Sequence, residues 1–119
     1  MSELYRSDRT FKVWAYTVSH TRLLLRSTIQ NDGENRIDVF FGGVDRMLLQ
    51  PVYEGLTIAE ASAEDLRAYE RRYGPLGRSL HLYRLGDDRD GFVVAGVVQW
   101  HEDLGNSRTP SYFGHFVGA

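Results

Sequence analysis

The run Phe11–Phe41, FKVWAYTVSHTRLLLRSTIQNDGENRIDVFF, decides the architecture. Leu23, Leu25, Ser27 and Ile29 fall on one side of an extended chain, and Arg22, Leu24, Arg26 and Thr28 fall on the other. A period of two marks a half-buried strand. Arg36–Phe41 repeats the pattern, with Ile37, Val39 and Phe41 against Arg36, Asp38 and Phe40.

Parity types the loop between these strands. Directly opposed residues of an antiparallel pair share a face, so Leu25 must oppose an odd-numbered core residue. A two-residue Asp32-Gly33 turn mismatches the faces. A three-residue Asn31-Asp32-Gly33 loop matches them, as a type I turn with Gly in the left-handed position. The implied pairs are Leu25 with Val39, Leu23 with Phe41, and Arg26 with Asp38. The same rule attaches a first strand, Phe11–Val18, through Ser19-His20-Thr21. It sets Trp14 beside Arg26 and Tyr16 beside Leu24.

The second face of this meander then carries Trp14, Tyr16, Arg22, Leu24, Arg26, Asp38 and Phe40, with Arg36 among them. These residues are the candidate binding surface. Trp, Tyr and Arg are the side chains enriched at interface hot spots. The competing expectation is that the helix at 62–73 packs on this face, leaving the arginines to snorkel at its rim.

Outward from the meander, residues 1–10 read as polar and frayed or an edge. Gly42-Gly43 ends or bulges the third strand, Met47–Leu49 is a short strand closed by Pro51, and Val52–Ile58 is a strand placed at an edge by Gly55. The period then changes. Ser62 is an N-cap, Glu64 and Asp65 are acids in the first turn, and Leu66, Tyr69 and Tyr73 form a helical stripe. Arg71 and Arg72 close the last turn, Gly74 takes the C′ position, and Pro75 stops the helix. Leu80–Leu85 and Phe92–Trp100 read as a hairpin across Gly86–Gly91. The second of these strands is apolar on both sides, which belongs inside a core. Tyr112–Val117 reads as a last strand. The expected fold is α+β, a single domain over 1–119. Its antiparallel sheet has about seven strands, curved or folded into a sandwich or partial barrel, with one helix at about 62–73.

Composition bounds the chemistry. At 119 residues, with 42% hydrophobic and 25% charged residues, the chain can build a core without staples. It has no cysteine, which removes disulfides and thiolate metal sites and fits a cytoplasmic protein. A net charge of −2 argues against nucleic acid as partner. Thirteen of the fourteen basic residues are Arg, which reads as the codon bias of a GC-rich bacterial genome. No apolar leader opens the sequence, and no apolar run reaches the ~18 residues of a membrane helix.

Motifs for catalysis are missing. The loop Asp87-Asp88-Arg89-Asp90-Gly91 has the wrong acid spacing for an EF-hand and reads as a turn. His20, His81, His101 and His115 show no metal-ligand spacing. Ser19-His20 lacks the G-x-S-x-G elbow of a hydrolase, and Gly42-Gly43 is not a phosphate loop. No cofactor or metal is expected. The outline resembles small bacterial domains of twisted antiparallel sheet plus one helix, many of which serve as toxin-immunity proteins or adaptors. The expected function is non-catalytic binding, with another protein or a second copy (a homodimer) as partner. The alternative is a small-ligand-binding domain or small enzyme with a pocket lined by aromatic and His residues.

Overall fold

The computed structural model describes residues 2–28, 35–86, 91–106 and 108–114. Among these residues, eight strands and one helix follow in the order β1 (Ser2–Thr17), β2 (Arg22–Ser27), β3 (Arg36–Gly42), β4 (Arg46–Leu48), β5 (Val52–Glu60), α1 (Ala63–Tyr73), β6 (His81–Leu85), β7 (Phe92–Ala95) and β8 (Val97–Asp103). The fold is α+β, and every strand pairing is antiparallel.

The β2–β3 register follows the parity argument. Leu23 opposes Phe41, Leu25 opposes Val39, and Arg26 opposes Asp38. The Asn31-Asp32-Gly33 loop that motivated it lies outside the described residues. Leu23, Leu25, Val39 and Phe41 are fully buried, joined in one core cluster by Phe11, Leu56, Ile58, Leu85 and Val93. Removing each such side chain from water is worth about 1.5–3 kcal/mol.

The sheet order is β4-β7-β6-β5-β1-β2-β3-β8. Its two ends meet through the chain itself. β7 and β8 are one run bent at Gly96; β4 pairs the first part and β3 the second. At the bend, Gly96 N–H donates to Gly42 C=O at 2.9 Å and Asp45 N–H donates to Val94 C=O at 2.8 Å. The sheet is therefore curved around the core cluster.

Four sequence expectations need correction in whole or part. Residues 2–10 are not a frayed end: they extend β1 and pair along β5. β5 lies between β1 and β6, but β6 pairs only Ile58–Glu60. Over Val52–Leu56 the described partner strand is β1 alone, so the edge expectation holds there and fails at the end of the strand. Gly55 marks a register slip, with φ +84° opposite the irregular stretch Ser7–Thr10. The Phe92–Trp100 run is not one core strand. Past Gly96 it is half in water: Val94 is buried, Val98 is only partly so, and Val97 and Trp100 are exposed. Of the expected strand at Tyr112–Val117, residues 112–114 form a turn with a Ser111–Gly114 bridge, and 115–117 lie outside the described residues. The β6–β7 hairpin is present; its Asp87–Asp90 loop is also outside them.

The helix follows its signals. Ser62 Oγ accepts the Asp65 N–H at 3.1 Å, and Gly74, at φ +89°, donates its N–H to Glu70 C=O. Tyr69 packs with Leu82 of β6 and Val94 of β7, flanked by Leu66, Tyr73 and Phe92. Arg84 Nη1 reaches Asp65 Oδ2 at 3.0 Å and pins the first turn to β6.

Candidate functional site

The candidate face is assembled from β1, β2 and β3, and a β-bulge sets its shape. Lys12 opposes Arg26 and Val13 opposes Leu25, but Ala15 opposes Leu24 and Tyr16 opposes Leu23. One extra residue has entered β1 between Val13 and Ala15. Beyond it, every side chain changes side. Tyr16 therefore leaves the candidate face and packs against the core cluster, which corrects its expected place beside Leu24. Ala15 and Thr17 take that place, opposite Leu24 and Arg22, and both are buried.

Trp14 sits within the bulge: Lys12, and not Trp14 as expected, directly opposes Arg26, and four residues rather than three join β1 to β2, but the indole still contacts Arg26. The Arg26 guanidinium lies 5.1 Å from the Trp14 ring centroid. It also holds Asp38 in a bidentate pair, Nε to Oδ1 at 2.7 Å and Nη2 to Oδ2 at 3.1 Å. Arg26 is 3% exposed and Asp38 1%, while Trp14 is 36% exposed. The three make a column: an indole facing water, a desolvated cation beneath it, and a desolvated carboxylate beyond. A cation beneath an indole contributes about 0.5–2 kcal/mol depending on desolvation. Lys12 and Val52 oppose each other beside this column, and both are exposed.

The helix does not cover this face, contrary to the competing expectation; it lies on β6 and β7. Residues 104–106 and 108–114 fold over part of it instead. Phe113 stacks on Phe40 with centroids 5.0 Å apart and planes at 14°. Tyr112 stacks on His101 at 4.0 Å. Gly114 approaches Arg22, where a Cβ would lie 3.4 Å from Nη1. Leu24 is fully buried. Of the seven candidate residues, Trp14 is the one that presents a large apolar surface to water.

Arg36 holds that segment. Its Nε and Nη2 meet Asp103 Oδ1 and Oδ2 at 2.8 and 2.7 Å. Nη1 donates to the carbonyls of Asn106 (2.9 Å) and Thr109 (2.6 Å), and Nη2 to that of Pro110 (3.2 Å). All five guanidinium N–H groups are thereby used. The Arg36 guanidinium lowers the Asp103 carboxyl below the usual carboxylate range. The sequence placed Arg36 on this face; the carbonyls it gathers come from a loop without periodicity, so spacing could not reveal them.

A separate cavity of about 820 Å³ is lined by Tyr5, Asp8, Ile37, Tyr53, Glu54 and Glu102 among others. Burial raises the Tyr5 hydroxyl pKa, against its hydrogen bond with Ser7, and the nearby Glu102 carboxylate adds to the rise. His81 pairs with exposed Glu60 at 3.2 Å, His20 is exposed in a turn, and His115 is outside the described residues. None of them lines this cavity among the described residues. Among the described residues, no three His, Cys, Asp or Glu side chains cluster as metal ligands, and no helix is long and apolar enough to cross a membrane.

Comparison with protein-family models, with curated proteins and with solved structures returns no match for this chain.

Proposed function

We propose that this chain is a non-catalytic binding protein of the bacterial cytoplasm, adaptor- or immunity-like, whose partner is another protein. The observation that carries the reading is the Trp14 column. An indole at the surface is ordinarily free to move. Here the Arg26–Asp38 pair fixes what lies beneath it, so its orientation is set before any partner arrives. Preorganised aromatic anchors lose little entropy on binding, and Trp is the residue most enriched at hot spots. Lys12 and Val52 beside it supply a cationic and an aliphatic rim.

The test is retention on the immobilised chain. A protein from the native host should be held by the wild type and lost on Trp14→Ala. Its affinity should fall by at least about 2 kcal/mol, the hot-spot scale, with the urea midpoint little changed. Tyr112→Ala, away from the column, should leave retention intact. If no retained protein depends on Trp14, or if Trp14→Ala unfolds the chain, the reading fails.

The second reading is small-ligand binding in the 820 Å³ cavity, a volume within the range of ligand sites. Two tyrosines and three carboxylates line it. A ligand there would raise the melting temperature of the wild type and not of Tyr53→Ala.

A further inference from the structure

The two ends of the sheet are managed differently. β4 is three residues long and is followed by Pro51, so it offers little backbone to another strand. β8 is seven residues long and pairs only with β3 among the described strands. Its other edge continues the line along which β6 pairs β7, beyond His81, where β6 begins. Edge strands are usually blunted by Pro, Lys, a bulge or brevity. The run Val97-Val-Gln-Trp-His-Glu-Asp103 contains neither Pro nor Lys, and its pairing with β3 shows no register slip. Val97 and Trp100 stand 39% and 43% exposed along it.

The residues of β8 are compatible with their own reverse. Antiparallel pairing of two copies about a two-fold axis at Trp100 sets Gln99 opposite His101, Val98 opposite Glu102 and Val97 opposite Asp103. No like charges meet. An axis at Glu102 would oppose two carboxylates, which destabilises a strand pair. The Trp100 axis also lengthens an existing aromatic contact, since Tyr5 packs on Trp100 with centroids 5.0 Å apart. Two copies would then align Tyr5, Trp100, Trp100 and Tyr5 on one face.

We propose that the open edge of β8 is a second interface, and that its occupant is β8 of another copy of this chain. The pair forms an isologous two-fold dimer with one continuous sheet across both subunits. This interface is separate from the Trp14 face and leaves that face free.

The test uses the full chain in sedimentation over about a hundredfold range of concentration, since mass action reveals a dimer. A concentration-dependent dimer is expected. Trp100→Lys places two ammonium groups on the axis, and Val97→Glu opposes a carboxylate to Asp103. Each should raise the dimer dissociation constant at least about tenfold, because like charges directly opposite destabilise strand pairs. Both sites are partly in water, so the urea midpoint of the dilute chain should hold; if one variant misfolds, the other still decides. The chain has no cysteine, so Trp100→Cys is a clean probe. On the axis its Cα atoms would fall within the roughly 4.4–6.8 Å that a disulfide spans, and oxidation should give a covalent dimer. A chain that stays monomeric overturns the proposal. So does a dimer that resists Trp100→Lys and Val97→Glu but dissociates on Trp14→Ala, which would assign self-association to the other face.

Discussion

Arg36 and Asp103, 67 residues apart in sequence, are direct cross-strand partners joined by two hydrogen bonds of 2.8 and 2.7 Å. Arg36 is 1% exposed. A guanidinium so deeply placed is stable only while its donors are occupied. The backbone carbonyls of 106, 109 and 110 complete that set, so the pair fastens the loop after β8 to β3.

This pair makes stability depend on acidity. The Asp103 carboxyl is depressed by Arg36, with Gly105 N–H also donating to it. A carboxyl depressed on folding contributes stability that is complete above its unfolded value, about 3.9. The contribution is lost as pH falls through that value toward the lower folded one. Urea midpoints followed from pH 7 to pH 3 should therefore decline, and Asp103→Asn should reduce the decline. Equal declines in both chains would remove Asp103 from the cause.

Gly105 is required by contact. A Cβ built on it lies 2.7 Å from Arg36 Cζ and 2.8 Å from Nη2. The guanidinium is bonded on every side and has nowhere to move. Gly105→Ala should cost about 1–3 kcal/mol, the scale of overpacking. The cost should shrink when Arg36→Ala is already present, a coupling that a double-mutant cycle measures.

The Arg26–Asp38 pair gives a sharper contrast. Asp38→Ala should cost about 3–5 kcal/mol by stranding a buried cation. Replacing both residues with Met and Leu should cost much less, because no uncompensated charge remains. Chemical denaturation of the two variants checks this. Similar losses in both would mean that the pair itself, rather than its desolvation, supplies the stability.

The Arg26–Asp38 contact was legible because parity is local arithmetic: both strands alternate without a break. The bulge at Val13–Ala15 was not. FKVWAYTV alternates through it with no Gly or Pro to mark the slip, and so Tyr16 was assigned to the wrong face. The strand over residues 2–10 was hidden by its polarity; its partner β5 lies up to 58 residues away, as Ser2 opposite Glu60 shows. Helix α1 was readable to its caps, since Ser62, Arg71, Arg72 and Gly74 act within a turn of it. Its docking place was signalled by β7 being apolar on both sides. Val94 is the residue that the second apolar side supplies to Tyr69.

The bend at Gly96 bears on how the chain finds its fold. Because one run serves both β3 and β6, the curl is completed only when residues near 100 join residues near 40. The β1–β5 ladder spans a comparable separation. Much of the structure cannot therefore form from neighbours in sequence; α1 and the hairpins β1–β2, β2–β3 and β6–β7 are the local pieces. Loop closure over such separations is costly before any contact rewards it. The chain belongs with topologies that fold in milliseconds to seconds rather than microseconds. During that interval the β8 edge and the Trp14 surface are both without their final surroundings.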